Sequence, residues 1–199
     1  GPGGRDQPDD SQEGERIAAG KSPQEKAAYV RAMFASIARR YDLLNSLLSL
    51  CRDRAWRRFT ASQCPLPASG LALDVATGTG DLARELARRY AGGTVVGVDF
   101  SPNMLAQAQA KLVSHGDKRI HLVLGDALHL PFPDDTFDCA TIAFGLRNVS
   151  SLAGTFGEMA RVVKPGGRVV SLELTRPRSP LVRAFFRIYM LRVVPLIGG

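Results

Sequence analysis

The chain has 199 residues, 45% hydrophobic and 23% charged, the make-up of an ordinary soluble domain with a single core. Its net charge of +7 is lopsided: residues 1–20 sum to −3 and leave +10 on the body, which suits nucleic acid, an anionic membrane surface or an acidic substrate, and net charge alone does not choose among them. Cys51, Cys64 and Cys139 form no paired or zinc-like spacing, and no apolar run approaches the roughly 20 residues that span a bilayer; a disulfide framework, a metal site and an integral or exported protein are excluded, and a cytoplasmic protein with reduced thiols is expected.

Residues 1–23 are rich in Gly, Pro, Asp, Gln and Ser and are expected to form a disordered tail. Residues 24–64 follow as an N-terminal helical cap, because Met33, Phe34, Ile37, Ala38, Tyr41, Leu44 and Leu48 recur at three- and four-residue steps. The main domain, residues 65–199, opens with a Pro-rich linker ending at Gly70. Five short β-rich runs are then predicted as strands: Leu71–Ala76, Thr94–Phe100, Ile120–Gly125, Phe137–Phe144 and Arg168–Leu174. Helices are predicted between them over Leu82–Tyr90, Pro102–Ser114 and Ser151–Val163, with Pro165-Gly166-Gly167 as a stop. The alternation implies a doubly wound, mostly parallel α/β sheet. His115, His121 and His129 are scattered without partners and are expected to be structural.

In such a sheet the ligand sits beyond the carboxyl ends of the strands, so the first strand–helix turn matters most. Here it reads Asp74-Val-Ala-Thr77-Gly78-Thr79-Gly80-Asp81, with Asp99 closing the second strand 19 residues after Gly80. The glycines admit close backbone approach and Asp99 is placed for ribose hydroxyls, which points to a bound adenosine. Gly78-x-Gly80-x-x-Ala83 also fits the loose dinucleotide fingerprint, so NAD stays in play on the glycines alone. Asp74 inside the strand and Asp81 at the helix start disfavour a pyrophosphate and suit S-adenosylmethionine, which carries an ammonium and a sulfonium instead. The alternative for Asp81 is a helix N-cap. Asp126, after the third strand, is placed to accept from an adenine amino group or simply to form a turn. The fold expected is therefore Rossmann-like, of the class I S-adenosylmethionine-dependent methyltransferase type.

Several motifs together then carry a family resemblance: Met33-Phe-x-x-Ile-Ala38-x-x-Tyr41-Asp42-x-x-Asn45, the Gly78-Thr-Gly80-Asp81 turn, Leu130-Pro-Phe-Pro133, Phe144-Gly-Leu-Arg-Asn-Val149 and Arg161-Val-x-Lys-Pro-Gly-Gly167. From about Lys26 onward the chain resembles the ubiquinone/menaquinone biosynthesis C-methyltransferases. The resemblance implies methyl transfer from S-adenosylmethionine to a ring carbon of a lipid-tailed quinol, demethylmenaquinol to menaquinol. It places Thr79, Asp99, Asp126 and Ala127 against the donor, and the full expected set adds Asp74, Thr77, Gly78, Gly80, Asp81, Phe100, Met104 and Ala143. Ala143 stands where the family usually has Ser, and Cys51 where it has Gly in Ser49-Leu-Cys51-Arg-Asp-Arg-Ala-Trp56. The family's chains continue with a helix and further strands, so a sheet lacking its C-terminal strands, a truncated chain and an exposed edge at the fifth strand are expected.

Arg147, after the fourth strand, is expected to stabilise the phenolate that makes the ring carbon nucleophilic, with Asn148 orienting the ring oxygen and Tyr41 as a further catalytic candidate. The alternatives are benzoquinol C-methylation in ubiquinone biosynthesis, a non-catalytic methyltransferase-like subunit and an NAD(P)-dependent oxidoreductase. Arg176, Arg178, Arg183, Arg187 and Arg192 alternate with aromatic and aliphatic residues over 176–194, a pattern for peripheral contact with the inner membrane surface or for a core-packed helix. No nucleic-acid partner is expected, since Ala143-Phe-Gly-Leu is not a base-methylating motif; a homodimer is.

Overall fold

A computed structural model describes residue 49 and residues 52–174. The tail, most of the helical cap with Tyr41 and Cys51, and the basic stretch 176–194 lie outside the described residues. The elements are α1 (Asp53–Ser62), β1 (Leu71–Val75), α2 (Asp81–Arg89), β2 (Thr94–Asp99), α3 (Pro102–His115), β3 (Ile120–Leu124), β4 (Phe137–Ala143), α4 (Leu152–Val162) and β5 (Val163–Leu172), with a 3-10 turn at Leu146–Asn148. All strands pair in parallel in the order β3-β2-β1-β4-β5, so the chain reverses its direction of travel across the sheet between β3 and β4. The expected strands are present with ends shifted by a residue or two, β5 excepted.

Parallel strands are covered on both faces, which is why they read as apolar runs. In β1, Ala72 faces one cluster with Cys139, Leu82, Leu86 and Leu112, whereas Leu73 and Val75 face another with Ile142, Met159 and Val162. The first cluster holds α1, α2 and α3 on one side of the sheet, and the second holds α4 on the other. Ala61 and Cys64 are fully buried in the first cluster, so α1, expected within a separate cap, is packed into the main core.

Local signals set the helix ends. Ser101 Oγ accepts from the Met104 N–H with Pro102 next, and α3 ends on Gly116 at φ 68°; Ser151 Oγ accepts from the Gly154 N–H to open α4. Asp81 is not the N-cap of α2: that position is Gly80, at φ 82°, and Asp81 is the first helical residue. The Lys164-Pro-Gly-Gly167 run follows α4 with no intervening loop. It lies within β5 as an irregularity, where the three residues Phe137 to Cys139 of β4 face the six-residue span Val163 to Arg168. Gly166 takes φ +81° and a Cβ on Gly167 would meet the Asp138 carbonyl at 2.6 Å, so the glycines build this bulge. Arg161 fastens the Leu130-Pro-Phe-Pro133 loop to α4, donating to the Leu130 and Phe132 carbonyls while pairing with Glu158.

Among the described residues, Cys64 and Cys139 are free and fully buried. The neighbouring Cys139 thiol and burial hold the Cys64 thiol above its ordinary range, which disfavours a nucleophilic role. No described helix is long and apolar enough to cross a membrane, and no described cluster of His, Cys, Asp or Glu forms a metal site.

Candidate functional site

The carboxyl ends of β1, β2 and β4 come level at Val75, Val98 and Ile142, and the chain turns away just beyond them. An open cleft lies there, lined by Arg57, Asp74, Ala76, Thr77, Gly78, Thr79, Asp81, Leu82, Ala143 and Phe144. Six expected donor contacts, Asp74, Thr77, Gly78, Thr79, Asp81 and Ala143, are thus brought together, and Gly80 closes the turn by donating to the Thr77 carbonyl.

Asp74 organises this cleft. It pairs in register with Gly97 on β2 and Thr141 on β4. One carboxylate oxygen accepts from Thr77 Oγ1 at 2.7 Å and the other from Thr141 Oγ1 at 2.8 Å. Burial pushes its carboxyl up to about 6, against the two hydroxyl donors and Arg57, which favour the charge. Gly97 makes room for this arrangement, because a Cβ there would lie 2.9 Å from Thr77 Oγ1 and 3.1 Å from Leu122. Gly97→Ala is therefore expected to push Thr77 off Asp74, cost about 1–3 kcal/mol by overpacking and lower donor affinity; thermal unfolding and calorimetric titration measure both.

Asp81 is not the uncompensated charge its sequence position suggests. Lys111 Nζ reaches it at 3.0 Å and also donates to Thr79 Oγ1 at 3.0 Å, while Arg57 lies 3.7 Å away. The case against phosphate at this turn therefore rests mainly on Asp74. Asp99 is buried and spans two loops, one oxygen accepting from the Gly78 N–H at 2.8 Å and the other from the Ser101 N–H at 2.9 Å. Burial raises its carboxyl, opposed by those N–H groups. It thus fixes the glycine turn to the start of α3.

The other expected residues among those described do not line the cleft. Met104 is buried at the start of α3, and Phe100, directly after β2, is half-buried. Asp126 is exposed after β3 and accepts from the Leu128 N–H, the turn role open to it; Ala127 follows, half-buried. Arg147 and Asn148 lie on the 3-10 turn beyond β4, with the exposed Arg147 guanidinium paired to Glu173 Oε1 at 2.5 Å. Glu173 Oε2 is buried and has no hydrogen-bond partner among the described residues.

Arg57, Lys111, Thr141, Ala76 and Phe144 were not expected here. Ala76 and Phe144 directly follow adjacent strands with φ of 52° and 57°, a backbone conformation costly for residues with a side chain and often found at functional sites. Gly145 packs against that corner, since a Cβ on it would meet Ala76 Cβ at 2.8 Å. A signal for Thr77's position was present in Gly97, a lone glycine within a strand, which marks a close approach.

This sheet order, with its ligand cleft beside the central strand, is the Rossmann-like architecture of the class I methyltransferases. A SAM-dependent methyltransferase from Aquifex aeolicus has the same fold, with a TM-score of 0.55 at 24% identity over 60% of this chain and 64% of that one. Fold alone does not choose a reaction. Sequence narrows it: residues 22–199 match the ubiE/COQ5 methyltransferase family, and the chain belongs to that family of S-adenosylmethionine-dependent enzymes. It is 47% identical over 177 residues to the ubiquinone/menaquinone biosynthesis C-methyltransferase UbiE of Geobacter sp. strain M21, covering 88% of this chain and 75% of that one. It is 49% identical over 178 residues to the demethylmenaquinone methyltransferase of Deinococcus radiodurans, covering 88% and 73%.

Proposed function

We propose that the protein methylates a ring carbon of a polyprenylated demethylquinol, converting demethylmenaquinol to menaquinol. The observation that carries this reading is the course of β4: its end, Ala143-Phe144, forms the cleft wall and leads directly into the turn bearing Arg147 and Asn148. Donor cleft and acceptor-activating side chains are thus one continuous segment.

S-adenosylmethionine, when bound, supplies an electrophilic methyl group. The lining of the cleft suits such a molecule chemically, since Asp74 offers negative charge to its cationic end and the glycine turn lets a ligand approach the backbone closely. Arg147 stabilises negative charge on the acceptor's ring oxygen, which raises electron density at the neighbouring carbon. Asn148 orients that oxygen, and the displaced ring proton leaves to solvent. A lipid-tailed acceptor has to come from a bilayer, and the basic, aromatic-rich sequence 176–194, outside the described residues, suits an anionic surface.

The test is incubation of the full chain with methyl-labelled S-adenosylmethionine and demethylmenaquinol in detergent micelles. Labelled menaquinol with equimolar S-adenosylhomocysteine is expected. Donor binding without transfer to this or a demethylated benzoquinol would overturn the enzymatic assignment, and saturable NADH binding in its place would overturn the donor assignment.

A further inference from the structure

We infer that Arg57 is the anchor for the carboxylate at the amino-acid end of the methyl donor, an inference that rests on the donor reading above. Arg57 lies on α1, is 6% exposed, and is the only cation among the described residues that line the cleft. Its guanidinium has five N–H donors in a planar fork, a shape that matches a carboxylate.

Few of those donors are used. Nη1 donates to Asp53 Oδ2 at 2.5 Å, and Asp81 Oδ2, at 3.7 Å, lies beyond hydrogen-bond reach. Nε and Nη2 make no hydrogen bond among the described residues. A buried guanidinium is costly unless its hydrogen-bonding capacity is met, so a cleft-lining one with unused donors is built for an anion that arrives from the cleft.

The side chain is also held in place. Asp53 is itself fixed by Ser49, whose Oγ donates to Asp53 Oδ1 and accepts from the Asp53 N–H, each at 3.2 Å. The Arg57 guanidinium lies 5.5 Å from the centre of the Phe144 ring, at the strained end of β4. Lys111, the other nearby cation, is committed to Thr79 and Asp81 and does not line the cleft. The donor's amino-acid end carries one ammonium and one carboxylate. Asp74 answers the first, and Arg57 answers the second.

The competing role is a strut, held by Asp53 within α1 and tying α1 to α2 through Asp81, which would not distinguish ligands. Decarboxylated S-adenosylmethionine separates the two, because it keeps the sulfonium and ammonium and lacks only the carboxylate. Calorimetric titration of the full chain is expected to show the wild type preferring S-adenosylmethionine over the decarboxylated compound by about 10- to 100-fold. In Arg57→Gln that preference should collapse to within about threefold, through loss of affinity for S-adenosylmethionine alone, and Arg57→Lys should restore part of it. Equal loss for both ligands in Arg57→Gln, or no preference in the wild type, would overturn the assignment. The wild-type comparison needs no variant, so it decides even if Arg57→Gln fails to fold. Wild type binding neither compound would mean that the donor reading itself has failed.

Discussion

Replacing Arg147 with alanine is expected to lower the rate of methyl transfer by about 100- to 1000-fold, the loss typical of one preorganised charge-stabilising donor, while leaving the Kd for S-adenosylmethionine within about twofold. The two readouts separate because Arg147 does not line the donor cleft. Nor should the variant unfold: the guanidinium is half-exposed and makes one ion pair, to Glu173, of the kind whose removal costs about 1 kcal/mol or less. Single-turnover methyl transfer to demethylmenaquinol measures the chemical step without product release. Arg147→Lys should recover only part of the rate, since an ammonium keeps the charge but loses the planar fork. A rate within threefold of wild type in Arg147→Ala would assign this residue to the solvated surface.

How Arg147 is held bears on the same result. Phe144 adopts φ 57° and Gly145 rests on Ala76, so the turn leaves β4 at an angle set by backbone packing. Glu173, just beyond β5, then pins the guanidinium from the neighbouring strand end. Two strand termini thus fix one exposed side chain, which is how a surface arginine can be positioned well enough to act on a substrate.

The frame of this site was legible in the sequence, because apolar runs covered on both faces and punctuated by Gly and Pro are distinctive. Leu71–Ala76 was expected where β1 ends at Val75, and Pro102 and Ser151 marked their helix starts. The glycine turn and the carboxylates Asp74 and Asp99 were legible for the same reason: they sit at strand ends that topology brings together. Arg57 was not. In Arg52-Asp-Arg-Ala-Trp-Arg-Arg58 it reads as one more solvated basic residue, and only contact with Phe144 and Asp81 distinguishes it from exposed Arg54 and Arg58. The charge balance at Asp81 was illegible too, because Lys111 comes from 30 residues away on another helix. Ala76 and Phe144 carry no sequence signal for positive φ, since neither residue type favours it. The bulge in β5 was read as a helix stop because Pro-Gly-Gly is compatible with both.

Asp74→Asn is expected to weaken binding of S-adenosylmethionine by about 10- to 100-fold at pH 8 without destabilising the unliganded protein. The substitution keeps the side chain's size, and whichever of the Thr77 and Thr141 hydroxyls faces the new amide nitrogen can rotate to accept from it while the other still donates to the amide oxygen. What is lost is the negative charge facing the donor's cationic end. Burial has raised this carboxyl from 3.8 to about 6, so the native state holds its proton more tightly than the unfolded chain does. The group's contribution to stability is therefore full below pH 3.8, declines as pH rises through about 6, and is flat above. Donor binding has the opposite sign, because a cation favours the ionised form: wild-type affinity should fall as pH drops below about 6, approaching tenfold per unit. Asp74→Asn should abolish that acid limb and leave a weak, pH-independent Kd, while its unliganded melting temperature at pH 8 stays equal to or above that of wild type. Calorimetric titration between pH 5 and 8 with parallel thermal melts tests both halves. A wild-type acid limb that survives in Asp74→Asn would move the titration to another group and leave Asp74 as a hydrogen-bonded brace between β1 and β4.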